Sequence, residues 1–360
     1  MKKTLLASAI AAVTFSGSAL AITAEELSAQ MDTMPTLSGN VQMAYRYLDN
    51  DAGNNGGNFF DNGSTLGVAH DHQIAPGIEA FAKIELQGFE STDASGGGLD
   101  TVDETYIGVR GGFGEVWAGK DDSQYEVLIG DYSNSIYQVA LSNVATSFDT
   151  AEDNLVQYIS PSFGGVTVHG VVQIDGESDP VSNKKNYPYQ LGARYSVDAL
   201  TVALAMDSND GSAGNNENSY GVSFEYVIDN LVLDAYYTTR SGVGSETEYL
   251  AKVIARATVS DEPLGDEILG SADLAGQDAF GVMATYAIGA NQFRVSYAKE
   301  EWDVVDADKD AFTLQAIHNV SDNLYVYAEG VKASIGGNDV DDLGLDDDSD
   351  EINLGAVYYF

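Results

Sequence analysis

The 360-residue sequence contains no cysteine, only six prolines and few basic residues. Without cysteine there are no disulfides, so an exported form of this chain must be held by other interactions. Sixteen Lys and Arg residues accompany 56 Asp and Glu residues, which gives a formal net charge of −40. Such a charge repels nucleic acids and anionic surfaces and attracts cations. It also indicates a salt-tolerant, marine or halophilic source, because ionic strength screens repulsion between the acids.

Long hydrophobic runs are also missing, so no membrane-spanning helix of about 18 or more apolar residues is expected after residue 21. The N-terminal stretch "MKKTLLASAIAAVTFSGSALA" combines Lys2 and Lys3 with an apolar region and an Ala19-Leu20-Ala21 box. This arrangement predicts a secretory signal peptide, residues 1–21, that is cleaved to leave a single domain, residues 22–360. A retained N-terminal anchor is the alternative. Export of this kind, with a Lys-Lys start, is typical of a bacterial protein.

What the chain has in abundance is glycine, with 38 residues, and tyrosine, with 21. Aromatic residues favour strands and Gly, Asn and Asp favour turns, so the composition is that of a β-protein. Polar and apolar residues alternate over segments of about ten residues, which is the length of a tilted strand that crosses a bilayer. The clearest segments are residues 36–48, 77–89, 186–197 and 219–228. Alternation places Gln190, Arg194 and Ser223 on the polar faces of the last two. One apolar and one polar face suit a barrel with lipid outside and water inside.

Short turns and long acidic loops alternate along the chain, and the predicted loops include those from Asp49 and from Gly336. Seven short turns and eight long loops would join sixteen strands. Both termini then lie on the short-turn side, where the first and last strands can pair and close the sheet. The final strand, "EINLGAVYYF", places Ile352, Leu354, Tyr358 and Phe360 on one face. The sequence therefore predicts an all-β, transmembrane, sixteen-stranded antiparallel up-and-down barrel. Inward and outward faces remain ambiguous for residues 61–75 and 100–112.

Three stretches of the chain resemble the general porins of Gram-negative outer membranes. The block "ETYIGVRGGFGEVWAGKDD", residues 104–122, resembles the strand–turn–strand that leads into the third external loop of that family. The stretch "STLGVAHDHQIAPGIEAFAKIEL", residues 64–86, resembles its second hairpin. The terminal Tyr358-x-Phe360 resembles the signal that the outer-membrane assembly machinery recognises. The resemblance covers nearly the whole of residues 22–360.

The resemblance implies that a third loop, about residues 121–154, folds into the lumen and narrows it. The apolar character of this loop agrees with packing inside the barrel, and an additional strand or helix there is the alternative. Family acids on this loop face basic residues on the wall. The candidate acids are Glu126, Asp131, Asp121 and Asp122, and the candidate wall bases are Arg46, Lys83, Lys120 and Arg110. Thr65 and Asp103 stand where family members often carry inward Arg, so cation selectivity is expected.

The function that these features imply is passive diffusion of ions and small hydrophilic solutes through a water-filled, homotrimeric channel. Two alternatives stay open: an oligosaccharide-specific porin, and a surface or adhesive barrel with a closed lumen. An enzyme is not expected, because the chain lacks cysteine and a G-x-S-x-G nucleophile elbow. No cofactor is expected beyond weak Ca²⁺ or Mg²⁺ binding by acidic external loops. The expected partners are outer-membrane lipid, lipopolysaccharide, the assembly machinery and solute cations, and not nucleic acid.

Overall fold

The computed structural model describes residues 34–51, 55–88, 101–134, 148, 150, 152–174, 187–210, 217–242, 276–303, 306–337 and 347–360. The signal peptide expected at residues 1–21 and the start of the mature chain lie outside these ranges. Within the described ranges, no helix is long and apolar enough to cross a membrane. The described chain is almost entirely β-strand.

All of the strands belong to one antiparallel sheet. In chain order they are β1 (Thr36–Asn50), β2 (Asn55–Asp61), β3 (Thr65–Ala75), β4 (Ile78–Gln87), β5 (Thr101–Gly111), β6 (Gly114–Lys120), β7 (Leu155–Ile159), β8 (Val166–Gln173), β9 (Tyr189–Val197), β10 (Leu200–Asp207), β11 (Ser219–Ile228), β12 (Leu231–Ser241), β13 (Gly276–Ile288), β14 (Asn291–Trp302), β15 (Ala307–Ser321), β16 (Leu324–Gly336) and β17 (Asp347–Tyr359). From β3 onwards, each strand pairs with the next strand in the sequence, from the β3–β4 pair to the β16–β17 pair.

The sheet closes on itself, because β1 pairs with β17 from Asn40 opposite Tyr359 to Asn50 opposite Ser349. On its other side β1 pairs with both β2 and β3, which therefore form one interrupted strand. With that strand counted once, the described residues build a closed barrel of sixteen strands, as the sequence predicted. Closure leaves no open sheet edge among the described strands, as a sheet surrounded by lipid requires.

The two faces of the strands differ in the way that the alternation predicted. On β17, the outward Leu354 is 51% exposed, whereas its inward neighbour Asn353 is 0% exposed. Aliphatic and aromatic side chains are exposed on strands all around the barrel. The inner face instead carries a large share of the buried polar and charged residues, including Gln157, Gln190, Arg240, Gln315, Glu329 and Glu351. An apolar exterior and a polar interior are the arrangement expected of a barrel in a bilayer.

The expected lengths of some strands and loops were wrong. Described strands run from five residues in β7 to fifteen in β1 and β15, rather than about ten throughout. The stretch from Asp49, predicted as a long loop, contains the end of β1 and the start of β2. Part of the acidic run after Gly336 likewise belongs to β17, which begins at Asp347. Antiparallel backbone pairing continues through these polar residues because the partner strand supplies its hydrogen bonds whatever the side chains are.

The structure also explains why the faces of residues 61–75 and 100–112 were ambiguous. A turn at residues 62–64 interrupts the strand, and the Asp61 Oδ1 atom accepts hydrogen bonds from the Gly63 and Ser64 amides at 3.1 and 2.7 Å. Between β4 and β5 the register shifts, so that Glu85 faces Glu104 but Leu86 faces Val102. Asp103 is the extra residue of this β-bulge, and a bulge resets the alternation of side chains.

Barrel closure depends on a glycine at the first contact between the chain ends. Gly39 and Phe360 exchange two backbone hydrogen bonds, at 3.0 and 3.2 Å. A Cβ atom on Gly39 would lie 2.6 Å from the Thr65 carbonyl oxygen and 2.8 Å from the Phe360 ring. We expect Gly39→Ala to destabilise the barrel by about 1–3 kcal/mol through overpacking. Urea unfolding in detergent measures this, with Gly330→Ala as the control, since a Cβ there meets nothing within 4 Å. Equal destabilisation by the two variants would contradict the packing argument.

Candidate pore constriction

The chain that follows β6 packs against the inner face of β9–β11. It forms a π-helical turn, Glu126–Gly130, and a short α-helix, Asp131–Asn134. Tyr125, Leu128 and Ile129 are each 0% exposed and contact Ala203 and Ala205 of β10. Helical structure in this segment agrees with the alternative left open by the sequence, and the segment is still part of the connection between β6 and β7.

Two glycines on the wall leave the space that this segment fills. A Cβ atom on Gly192 would overlap the Leu128 side chain, and one on Gly221 would lie 2.8 Å from Ile129. Both glycines lie on the face opposite exposed apolar residues, such as Leu191 at 55% exposure. Small residues in β9–β11 therefore form a shallow groove for the apolar side of the segment.

Hydrogen bonds from Gln190 fix the start of the segment. Its Oε1 atom accepts from the Tyr125 amide at 2.6 Å. Its Nε2 atom donates to the Ser123 Oγ atom at 2.9 Å and to the Asp207 carboxylate at 2.7 Å. Gln190 is itself 0% exposed, and a buried, fully used amide of this kind holds a unique geometry.

Further hydrogen bonds hold the segment on either side of this point. The Gln157 Nε2 atom donates to the Asp122 carbonyl at 2.7 Å. The Ser223 hydroxyl donates to the Leu128 carbonyl at 2.7 Å, and the Arg194 Nη2 atom donates to the Val127 carbonyl at 3.1 Å. Residues 122–128 are thus attached along their length to the polar side of the wall, and the backbone groups that the turn leaves unpaired are satisfied.

The structure brings three of the four predicted acids together. Carboxylate oxygens of Asp122, Glu126 and Glu152 lie within 4.8 Å of one another. Asp121 adjoins them, and its backbone amide donates to the Glu152 carbonyl at 3.0 Å. Asp131, the fourth predicted acid, lies one helical element further on and interacts with Arg194. We call Asp121, Asp122, Glu126 and Glu152 the root cluster.

Burial and mutual repulsion shift the protonation of the root cluster. Burial, reinforced by the neighbouring carboxylates, raises the pKa of Asp122 to about 7 and that of Glu126 to about 8. Burial also raises the pKa of Asp121 to about 6, although a hydrogen bond from the Asp122 amide opposes the change. Carboxyl groups crowded in this way bind protons near neutral pH. The charge of the root cluster is therefore sensitive to pH in the neutral range.

The four predicted wall bases lie at different positions along the barrel axis. The Lys83 Nζ atom lies 2.5 Å from Glu104 and 3.4 Å from Glu85, and it interacts electrostatically with Asp121. Lys120 lies 3.8 Å from Glu152. These two lysines therefore adjoin the root cluster.

Arg46 and Arg110 are placed differently. Arg46 lies over the Phe60 ring, 5.0 Å from its centroid, on the β1–β2 side of the wall. Arg110 lies beside the β5–β6 turn, contacts Glu79 and is 3.0 Å from Asp71. The structure does not bring Arg110 to the root cluster, because it belongs to the short-turn end of the barrel.

Thr65 and Asp103 occupy the two positions at which the chain departs from the family pattern. Thr65 is 8% exposed, and its hydroxyl accepts a hydrogen bond from the Asn40 amide group at 2.9 Å. Asp103 adds a carboxylate to Glu85 and Glu104 beside Lys83. Neither position therefore contributes positive charge to the wall.

Sequence reasoning missed two arginines that face the end of the segment. Arg194 of β9 and Arg294 of β14 line the same cavity as Asp131. Alternation had already placed Arg194 on a polar face, and Arg294 lies between Phe293 and Val295, which shows the same pattern. Their proximity to the loop was not readable from local sequence, since Arg194 bonds to a residue 67 positions earlier.

Comparisons with known proteins agree with this architecture. A family model described as Gram-negative porin matches residues 7–338. A "Monosaccharide porin" of a Halomonas species and a "Major outer membrane protein" of Halomonas elongata are each 29% identical to the chain, with full coverage of both sequences.

Solved structures show the same fold at low identity. OmpF of Salmonella typhi, solved with daunomycin, has a TM-score of 0.65 at 15% identity, covering 91% of this chain and 98% of that chain. The trimer form of OmpT from Vibrio cholerae has a TM-score of 0.61 at 16% identity, covering 91% and 99%. With a closed sixteen-stranded barrel and a family match over most of its length, the chain belongs to the Gram-negative porin family.

Proposed function

We propose that this protein is a diffusion channel of the outer membrane, through which ions and small hydrophilic solutes pass passively and cations pass preferentially. The observation that carries the proposal is the closed barrel of sixteen strands with a polar inner face. A barrel of this size leaves an aqueous channel, whereas an eight-stranded barrel is filled by its own side chains. A porin of this family is a channel protein and not an enzyme, and it resides in the outer membrane.

The third loop would fold into the lumen and narrow it. Support comes from the contacts of residues 122–132 with the polar side of β9–β12, which Gln190, Arg194 and Ser223 anchor. Residues 135–147, 149 and 151 of the loop lie outside the described residues. Attached along the wall, residues 122–132 would restrict only part of the cross-section.

Cation preference would follow from the charges beside the remaining cross-section. The root cluster and the group of Glu85, Asp103 and Glu104 supply more negative charge than Lys83 and Lys120 can balance. An excess of carboxylates beside a pore favours the passage of cations. The acidic run at residues 339–351, for which weak Ca²⁺ or Mg²⁺ binding is expected, is described only from Asp347 onwards. That binding stays a prediction.

A substrate-specific porin is the second candidate. The Halomonas relative is named a monosaccharide porin, and inward tyrosines supply surfaces on which sugar rings could slide. Ring centroids of Tyr325 and Tyr327 lie 6.3 Å apart, and those of Tyr325 and Tyr359 lie 6.1 Å apart. A barrel that serves only as a surface or adhesive anchor would instead need a closed lumen.

A homotrimer is the assembly that we infer, supported by the trimer form of the structurally similar OmpT. Lipopolysaccharide and outer-membrane lipid would surround the exposed apolar face. The assembly machinery would recognise Tyr358 and Phe360, which point outward at 50% and 45% exposure. This position leaves both rings accessible before the barrel closes.

Liposome swelling with neutral solutes of increasing size tests the proposed function. Vesicles that contain the purified protein should swell quickly with small polyols and monosaccharides and more slowly as the solute grows. Rates that match protein-free vesicles for every solute would support the closed-anchor alternative and contradict the proposal.

Lys83 and Arg110 lie at different positions along the barrel axis, so replacing each in turn tests whether charge at the constriction sets the ion selectivity. Lys83→Gln removes a positive charge beside the root cluster, whereas Arg110→Gln removes one at the short-turn end. We expect the first variant to raise the cation-to-anion permeability ratio by several-fold and the second to change it little, because exposed charges more than about 10 Å apart are screened. The reversal potential in a KCl gradient measures both. A larger effect of Arg110→Gln would mean that selectivity is set at the short-turn mouth.

A further inference from the structure

A cavity of about 420 Å³ lies between the end of the described third-loop segment and the wall strands β9–β14. This volume is within the range of roughly 300–1,000 Å³ that small-molecule sites occupy. Asp131 and Tyr132 line it from the loop side. From the wall it receives Arg194 of β9, Glu225 of β11, Asp234 of β12 and Arg294 of β14.

Positive and negative groups are interleaved around this cavity instead of being separated. Along the wall the order is a guanidinium, two carboxylates and a second guanidinium, and the Asp131 carboxylate belongs to the loop. Asp131 interacts electrostatically with Arg194, and Asp234 does so with both Glu225 and Arg294. Opposite charges that face one another in this way limit the net field that a charged solute would experience.

Both arginines are held in place by neighbours outside the carboxylate set. The Arg194 Nη2 atom donates to the Val127 carbonyl at 3.1 Å, and the Arg294 Nη1 atom donates to the Gln315 Oε1 atom at 3.2 Å. A guanidinium whose plane is fixed presents its remaining N–H groups in a constant direction. Fixed donors and acceptors are what a selective binding site requires.

The ligand class follows from hydrogen-bonding capacity. Ionised carboxylates only accept hydrogen bonds and guanidinium groups only donate them, whereas each hydroxyl group can do both. A neutral solute with hydroxyls on every side can therefore satisfy an interleaved set of acids and bases. The Tyr132 ring and Met283 add an apolar surface for the C–H face of a sugar ring.

Charged solutes match the cavity less well. A simple anion would meet three carboxylates, and a simple cation would meet two guanidinium groups. A zwitterion such as an amino acid carries its ammonium and carboxylate groups on one carbon atom, and neighbouring acids and bases of the wall could bind both. It is therefore the rival ligand that the test must distinguish from a sugar.

The geometry points to a monosaccharide-binding subsite in this cavity, beneath the third loop and inside the channel. The inference rests on the proposed channel function, because the lumen is the route by which a sugar would reach the cavity. Binding would be weak, since a solute that is to pass through must also leave. Such a subsite would raise sugar flux at low external concentration, where simple diffusion is slow.

Partial block of single-channel current by D-glucose tests the inference. In the wild-type protein, current in KCl should fall with glucose concentration and then saturate, as expected for a site that fills. A purely linear fall, of the size that viscosity alone gives in bulk solution, would contradict the subsite. Glycine is the zwitterionic probe. Saturable block by glycine at lower concentrations than by glucose would overturn the assignment of the ligand class.

Isosteric variants test whether glucose blocks the current by binding in this cavity. Asp234→Asn and Glu225→Gln keep the shape of the cavity and remove one acceptor charge each. Each should raise the half-blocking glucose concentration about tenfold, which corresponds to about 1.4 kcal/mol. Glu115→Gln makes the same change in the lining of the separate cavity at the short-turn mouth, and it should leave the half-blocking concentration unchanged.

Two results would count against the subsite. Unchanged half-blocking concentrations in Asp234→Asn and Glu225→Gln, with current in KCl alone at the wild-type level, would show that glucose binds elsewhere. Equal shifts in all three variants would indicate a general effect of charge. The proposed channel function has its own test, because it requires current in KCl without any sugar. A protein that shows this current but no saturable block by glucose would still be a diffusion porin without the subsite.

Discussion

Acidification is expected to remove most of the proposed preference of the channel for cations. Burial raises the pKa of Asp121, Asp122 and Glu126 to about 6, 7 and 8. A carboxyl group is ionised above its pKa, so all three are charged above about pH 9 and neutral below about pH 5. The cation-to-anion permeability ratio should therefore fall about tenfold between these limits, the lower end of the range for focused fields.

The neighbours of the root cluster define the control for this prediction. Glu104 and Lys83 face it from β5 and β4, Glu152 and Lys120 adjoin it, and Asp131 follows in the loop. A transition centred near neutral pH would lie above the range, near pH 4, in which free carboxyl groups ionise, so it would report groups whose pKa is raised.

The double variant Asp122→Asn/Glu126→Gln should lose most of the transition, whereas Glu115→Gln should retain it. The reversal potential measured across the pH range distinguishes these cases. A ratio that is constant with pH in the wild-type protein would show that the root cluster does not control permeation.

Shortening Leu128 is expected to convert a steady open channel into one that closes frequently. Its side chain is 0% exposed and fills the groove beside Gly192. Leu128→Ala should weaken docking by about 2–5 kcal/mol, the range for a buried leucine that leaves a cavity. A loop released from the wall can move across the lumen, so mean conductance should fall and current noise should rise.

Leu128→Met is the matched control, because it keeps the buried volume and costs less than about 1.5 kcal/mol. Single-channel recordings in the same KCl solution compare the two variants. If Leu128→Ala shows the conductance and noise of the wild-type protein, packing of this side chain does not hold the constriction open.

Features of the structure could be predicted from the sequence when the residues that form them are close together in the chain. Alternation is a local pattern that assigns every residue of a strand to one of two faces. It placed Gln190, Arg194 and Ser223 on the polar face, and the structure confirms that placement. The interruption at residues 62–64 also had a local indicator, the Asn62-Gly63 pair, which is typical of a turn.

Contacts of the candidate constriction could not be predicted in the same way. Gln190 anchors the Tyr125 amide across 65 residues, and Ser223 reaches Leu128 across 95. No local pattern specifies such pairs, because they depend on where the loop lies within the closed barrel. The position of a wall base along the barrel axis could be predicted more readily from the sequence. Arg110 directly precedes Gly111, the last residue of β5, and therefore lies near the short turn.

Single-channel recording of the wild-type protein in a planar bilayer under a KCl gradient tests the central claim most directly. The claim is an open, water-filled channel whose narrowest part is dominated by carboxylates. It predicts large current steps and, at a pH above about 9, where Asp121, Asp122 and Glu126 are ionised, a reversal potential that favours K⁺. Folded protein that inserts without conducting would contradict the channel, and a reversal potential that favours Cl⁻ would contradict its acidic constriction.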